Sequence, residues 1–173
     1  MPSVRSIQAP AAVVMIRPHR FMPNPQTAGD NAFQREPAQR EREAVAAAAF
    51  REVTEAARRI EAAGIRVHLF EDDGTRDTPD AVFPNNWFST HPGGHVAIYP
   101  MYSPNRRRER RADVVEMLKA HYRVQDVIDH SGLEHEGLAQ HQRQRQRAAG
   151  DALGQADEIR PALAVGIQRL LAR

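Results

Sequence analysis

Ala11-Ala-Val-Val-Met-Ile16 is a short apolar stretch rich in β-branched residues, with Pro10 before it and Pro18 shortly after it. This pattern predicts a β-strand that is buried on both faces. A second strand is predicted over Ile65-Arg-Val-His-Leu-Phe70, where apolar and polar residues alternate. The fold class therefore depends on what the chain forms between these two strands.

A long helix is predicted between the two strands, over residues 37–63. Residues at steps of three and four make one apolar stripe along it: Phe50, Val53, Ala57 and Ile60. Gly64 stands where a helix commonly ends in a glycine. The order strand, helix, strand indicates an α/β fold with short connections.

The α/β order continues to about residue 129. The turn sequence in His91-Pro-Gly-Gly-His95 predicts a β-hairpin formed by residues 87–90 and 96–99. A second amphipathic helix is predicted over residues 106–122, followed by a strand over residues 124–128. The inward-facing residues of this helix are predicted to be Val114, Val115, Leu118 and Tyr122.

The composition excludes several kinds of chemistry. The 173 residues include no cysteine, which rules out disulfides, cysteine-ligated metals and a cysteine nucleophile within this chain. The net charge is only +2, so no chain-wide positive field for nucleic acid is expected. No apolar stretch approaches the ~20 residues that cross a bilayer, and no targeting segment is visible. We expect a cytoplasmic protein without a membrane partner.

The most distinctive segment is Thr78-Pro-Asp-Ala-Val-Phe-Pro-Asn-Asn-Trp-Phe-Ser-Thr90. Asp80, Asn85 and Asn86 are candidates to converge there. One carboxylate and two amides suit a planar polar ligand with several N–H donors, such as a guanidinium or ureido group. The alternative is that the asparagines serve turn geometry and Asp80 accepts a backbone N–H. Arg17, after the first strand, is a candidate for an anionic ligand, with a solvated loop as its alternative.

Arg106-Arg-Arg-Glu-Arg-Arg111 is a basic cluster for which nucleic-acid binding is one interpretation. Glutamate interrupts it, no aromatic residue is interleaved, and it opens the second predicted helix. We therefore predict a solvated helical face and no nucleic-acid partner. The histidine spacings predict no metal site, since His91 and His95 flank a turn and cannot share a helical face.

Several segments in this order resemble the arginine deiminase and amidinotransferase superfamily, the penteins. The most similar branch is the amidinotransferase-like one that includes citrulline-utilisation hydrolases. The resemblance covers roughly residues 8–137. The matching segments are Met15-Ile-Arg-Pro18, Asn24-Pro-Gln-Thr-Ala28, Asn31-Ala-Phe-Gln34, Thr78-Pro-Asp-Ala-Val-Phe-Pro-Asn-Asn-Trp-Phe-Ser-Thr-His91, Tyr99-Pro-Met101 and Pro104-Asn-Arg-Arg-Arg-Glu-Arg-Arg111.

The resemblance implies an α/β propeller of five ββαβ modules with the substrate in a central channel. About two of the five modules are expected here, so residues 1–137 are predicted to be the N-terminal part of a pentein-like domain. Residues 138–173 are predicted to be a divergent polar and helical tail, disordered or produced by a frameshift. Uncovered module edges predict self-association.

The resemblance also implies a chemistry. Superfamily members cleave or transfer an amidine-type carbon, using a cysteine nucleophile, a histidine general acid/base and substrate-binding acids, without a metal or organic cofactor. Asp80 matches the first of these acids. Asn85 and Asn86 occupy the next two positions, where asparagine in place of an acid suits a ureido group.

These matches predict a hydrolase or amidinotransferase acting on C–N bonds of guanidino or ureido amino acids, such as citrulline or arginine. The cysteine and the later histidine segment have no counterpart in this sequence. We therefore expect a truncated and inactive chain in which no residue is assigned a catalytic role. The alternative is a non-catalytic binding protein that uses the 106–111 cluster.

Overall fold

The computed structural model describes residues 10–28 and 37–136. Its first unit contains two parallel strands, β1 (Ala12–Pro18) and β2 (Arg66–Asp72), joined by helix α1 (Arg42–Ala62). The predicted order of strand, helix and strand is confirmed, and with it the α/β class. The predicted tail over residues 138–173 lies outside the described residues.

Helix α1 ends just before Gly64, as the sequence predicted. Gly64 has a φ of 84°, a left-handed conformation that side chains disfavour. The Ile65 N–H donates to the Ile60 carbonyl at 3.2 Å and the Gly64 N–H to the Glu61 carbonyl at 2.9 Å. This pair of bonds is a Schellman motif. The predicted start at residue 37 is wrong, because Gln39–Glu41 form a 3-10 turn before the α-helix begins.

The second unit follows the order β-β-α-α-β. Strands β3 (Phe88–His91) and β4 (His95–Ile98) form the predicted antiparallel hairpin. Two short helices follow, α2 (Pro104–Arg107) and α3 (Ala112–His121), and strand β5 (Asp126–Asp129) then pairs in parallel with β4. The arrangement of five modules in a propeller stays a prediction.

The second helix differs from its prediction at both ends. The helix is interrupted between α2 and α3, so the whole basic cluster precedes α3 instead of opening it. Val114, Val115 and Leu118 are buried, as predicted. Tyr122 is not: it follows the helix, is 37% exposed, and its hydroxyl lies 2.6 Å from His68 Nε2.

One apolar core joins the two units. Ile16 of β1 belongs to the same buried cluster as Trp87, Val96 and Val114 of the second unit. The prediction that β1 is buried on both faces is wrong for most of the strand. Only Ile16 and Pro18 are buried, because β1 pairs with β2 alone in a two-stranded sheet within the described part of the chain. No helix among the described residues is long and apolar enough to span a membrane.

Candidate functional site

Asp80 lies in the turn-rich segment between β2 and β3, inside a cluster of polar side chains. Its Oδ2 accepts a hydrogen bond from Asn24 Nδ2 at 2.8 Å. The Nε of Arg106 is 3.5 Å from the same oxygen. The carboxylate therefore bonds to side chains from distant segments, and the interpretation of Asp80 as a backbone cap is wrong. Its side chain remains 14% exposed.

Asn24 and Asn105 form a reciprocal amide pair beneath Asp80. Asn105 Nδ2 donates to Asn24 Oδ1 at 2.7 Å, and Asn24 Nδ2 donates to Asn105 Oδ1 at 3.3 Å. The backbone N–H of Gln26 donates to Asn24 Oδ1 at 3.0 Å. Both asparagines are buried, Asn24 completely. Buried amides are stable only when their donors and acceptors find partners, and this pair provides them.

Glu109 completes the cluster on the far side of Arg106. Arg106 Nε and Nη2 each lie 3.1 Å from one Glu109 carboxylate oxygen. Burial raises the pKa of Glu109 to about 7, although the Arg106 guanidinium acts in the opposite direction. The negative charges of Asp80 and Asp72 also raise this pKa. Burial therefore holds the pKa of the Glu109 carboxyl well above its ordinary value, even beside a guanidinium.

Asn85 and Asn86 lie in a 3-10 turn over Pro84–Asn86. Among the described residues, neither forms a hydrogen bond with Asp80, and their convergence with Asp80 on one ligand stays a prediction. The turn closes with the Trp87 N–H on the Pro84 carbonyl at 3.1 Å. Because Trp87 is buried in the core, this turn is held in place and leaves Asn85 exposed.

Arg17 is part of β1, so its interpretation as a loop residue is wrong. It faces Glu71 across the β1–β2 register. Its guanidinium makes two hydrogen bonds with the Glu71 carboxylate, one of them from Nε at 3.1 Å, and a third with Thr54 at 3.2 Å. It also lies 4.7 Å from the centre of the Phe50 ring. The pair with Arg17 lowers the pKa of Glu71.

The basic cluster is not a solvated helical face, because each of its five arginines binds an acceptor. Glu134 is central to this arrangement, since it pairs with both Arg107 and Arg110 and also accepts the Met101 N–H at 2.8 Å. The carboxylate partners of the five arginines are Asp77, Asp80, Glu109, Asp113 and Glu134. The cluster is therefore largely neutralised within the fold.

A cleft of about 180 Å³ lies beside the Asp80 cluster, at the carboxyl end of β2. Its wall includes Glu109, Asp72, Thr78, Arg108 and Arg111. Both acids and arginines line this wall, so the cleft can offer acceptors and donors to a polar ligand. Within residues 10–28 and 37–136, no three His, Cys, Asp or Glu side chains are grouped to hold a metal ion.

Sequence reasoning missed Asn24, Asn105 and Glu109. Asn24 opens one of the segments that match the pentein pattern, and Asn105 and Glu109 lie in another. That match was the available signal. It carried no information on contacts, because 81 positions separate the two asparagines in the chain.

A family model described as "N,N dimethylarginine dimethylhydrolase, eukaryotic" matches residues 17–142. This match places the chain in the amidinotransferase-like, or pentein, superfamily, as the sequence predicted. Within that superfamily, the chain belongs to the N,N-dimethylarginine dimethylhydrolase family. No curated protein matches the chain, and no solved structure does. The citrulline-utilisation branch stays a prediction.

Proposed function

We propose that this chain binds the guanidino group of a methylated arginine through Asp80. The observation that carries the proposal is the Asp80 carboxylate itself. Its Oδ2 is bound to Asn24, while Oδ1 has no hydrogen bond among the described residues. A guanidinium presents several N–H donors in a planar fork, which a carboxylate oxygen accepts well. The family match, whose description names dimethylarginine, supports this substrate class.

Asn85 and Asn86 are proposed as the neighbouring ligand contacts. They follow Asp80 closely in the chain, and neither side chain forms a hydrogen bond with Asp80. Their amides offer acceptors without adding negative charge. A neutral ureido group, as in citrulline, is therefore the second substrate class to test. Arg17 stays the proposed contact for a substrate carboxylate, although Glu71 already accepts two of its hydrogen bonds.

We further propose that this chain alone binds its ligand without turning it over. The pentein resemblance implies a cysteine nucleophile, and the 173 residues contain no cysteine. Removing a nucleophile eliminates most of the rate acceleration even where the binding groups remain. A cytoplasmic location and self-association through uncovered strand edges stay predictions.

The proposal is tested by isothermal titration calorimetry of the 173-residue chain. Nω,Nω-dimethyl-L-arginine, L-arginine and L-citrulline serve as ligands. Asp80→Asn removes the charge at the proposed site, and Asp126→Asn removes one from an exposed position on β5 as the matched control. We expect Asp80→Asn alone to abolish binding. Equal affinities of the two variants would exclude Asp80 as the binding acid.

The alternative of a non-catalytic binding protein that uses residues 106–111 has no supporting observation in the structure. All five arginines donate to carboxylates or carbonyls of the same chain. A polyanion would have to compete with these partners. Salt-sensitive retention of the chain on a heparin column, lost when Arg107 and Arg108 are replaced by alanine, would support this alternative.

A further inference from the structure

We propose that Asn24 and Asn105 are positioning residues that hold Asp80 by one carboxylate oxygen and leave the other to the ligand. The inference rests on the proposed function of Asp80. It assigns a role to two residues that make no contact with the substrate themselves. The segments that contain Asn24, Asp80 and Asn105 meet at this point, although they are far apart in the chain.

The Asn24 amide uses its whole hydrogen-bonding capacity within the cluster. Its two N–H groups point to Asp80 Oδ2 and Asn105 Oδ1, and its oxygen accepts from Asn105 Nδ2 and the Gln26 N–H. An amide with two donors and two acceptor sites offers no more. Because Asn24 is completely buried, water does not compete for these bonds. The orientation of the donor to Asp80 is therefore fixed.

The cation in the cluster acts on the same carboxylate oxygen as Asn24. The Nε of Arg106 is 3.5 Å from Asp80 Oδ2 and 3.1 Å from Glu109 Oε1. Arg106 is held mainly by Glu109, through two hydrogen bonds. It therefore supports the anchored oxygen Oδ2, while Oδ1 has no hydrogen bond within the described residues.

This division of the carboxylate has a consequence for binding. A carboxylate on a free side chain loses rotational freedom when a ligand binds to it, and that loss weakens affinity. Asp80 is already oriented through Oδ2, so a ligand N–H that reaches Oδ1 finds an acceptor in place. Loss of the Asn24 donor should therefore weaken ligand binding, even though Asn24 does not contact the ligand.

The experiment combines three variants with calorimetry. Asn24→Leu replaces the amide with an apolar group of similar size, and Asn105→Leu loosens Asn24 without altering the partners of Asp80 directly. Ser103→Ala is the matched control, since Ser103 is a buried polar residue next to α2 that makes no side-chain cap bond. For Nω,Nω-dimethyl-L-arginine we expect an increase in Kd of about tenfold with Asn24→Leu, a smaller increase with Asn105→Leu, and none with Ser103→Ala.

A second measurement keeps the inference separate from the proposed function. A double-mutant cycle measured by urea unfolding needs no ligand. It compares the unaltered chain with Asn24→Leu, Asp80→Asn and the variant that carries both substitutions. We expect the unfolding equilibrium constants to deviate at least fivefold from additivity. If the unaltered chain does not bind the ligand, the proposed function fails and the cycle alone decides the positioning role.

Two results would overturn the inference. One is wild-type affinity in Asn24→Leu combined with loss of binding in Asp80→Asn, which would leave the function of Asp80 intact. The other is an additive cycle. If Asn24→Leu does not fold, Asn105→Leu takes its place in both measurements, and the same two results apply to it.

Discussion

Arg106 and Glu109 form a buried ion pair in which the guanidinium Nε and Nη2 each lie 3.1 Å from one carboxylate oxygen. The Glu109 side chain is completely buried and that of Arg106 nearly so. Arg106 is also the cation nearest to Asp80 in the cluster, at 3.5 Å. The protonation of Glu109 is thus coupled to the charge around the proposed ligand-binding acid.

The first prediction concerns the pH dependence of stability. The pKa of Glu109 is about 7 in the folded chain, against an ordinary value of 4.5. Between these two values the folded chain holds a proton that the unfolded chain has released. The free energy of unfolding therefore falls as the pH rises through this window, by about 3 kcal/mol for this group.

Urea unfolding at pH 5, 6, 7 and 8 measures this contribution as the difference between the unaltered chain and Glu109→Gln. The contributions of the other carboxylates cancel in that difference. Glu116→Gln, an exposed glutamate on α3, is the control and should show no such difference. Parallel curves for the unaltered chain and Glu109→Gln would contradict the prediction.

The second prediction concerns Glu134. Burial acts to raise the pKa of this carboxyl, but hydrogen bonds from Arg110 and the Met101 N–H outweigh burial and lower it. Glu134→Gln would leave Arg107 and Arg110 without their shared anion. We expect a loss of about 2 kcal/mol in the free energy of unfolding at pH 7, because a partly buried cation that loses its partner is destabilising.

The matched control for Glu134 is again Glu116→Gln, which breaks an exposed pair with Lys119 on α3. Exposed pairs contribute about 0.5 kcal/mol or less. Thermal and urea unfolding of both variants give the comparison. Equal losses in the two variants would mean that Glu134 does not join residues 99–110 to the segment after β5.

The third prediction concerns the glycines with positive φ. Gly94 has a φ of 86°, and a Cβ placed there would lie 2.1 Å from the Arg123 carbonyl oxygen. Gly64 has a similar φ of 84° but open space around the Cβ position. Gly64→Ala should cost about 1 kcal/mol from backbone strain alone. Gly94→Ala should cost at least twice as much, because the backbone that leads into β5 must move.

Urea unfolding of the two alanine variants separates the cost of backbone strain from the cost of a steric clash. Both glycines have the left-handed conformation, but only Gly94 lacks space for a Cβ. A larger loss for Gly94→Ala locates the constraint at the contact between the hairpin and residues 123–125, where the Gln125 N–H also donates to the Gly94 carbonyl at 2.8 Å. Similar losses for the two variants would show that the segment before β5 adjusts at little cost.

The fourth prediction concerns turnover. Hydrolysis of dimethylarginine at its guanidino carbon releases dimethylamine and leaves citrulline. We expect no release above the uncatalysed rate from the 173-residue chain, because no thiol is present to attack that carbon. Chromatographic detection of dimethylamine after prolonged incubation measures it. Turnover that disappears in Asp80→Asn would mean that another nucleophile acts in this chain.

Local patterns predicted most of the fold. The alternation in β2, the apolar stripe of α1 and the turn before β4 depend on neighbours within one element, so the sequence carries them directly. The burial of β1 was overestimated because burial depends on how many strands flank it. The break between α2 and α3 escaped prediction because the arginines before α3 bind acceptors in other segments.

The sequence by itself determined the superfamily, the α/β order and the candidate acid, Asp80. Composition also determined that no cysteine chemistry occurs within this chain. Only the tertiary structure decided which side chains bind Asp80: Asn24, which Asn105 holds in turn, and Arg106. The reason is physical. A buried carboxylate needs donors within about 3 Å, and the nearest donors in space come from chain segments that no local pattern connects.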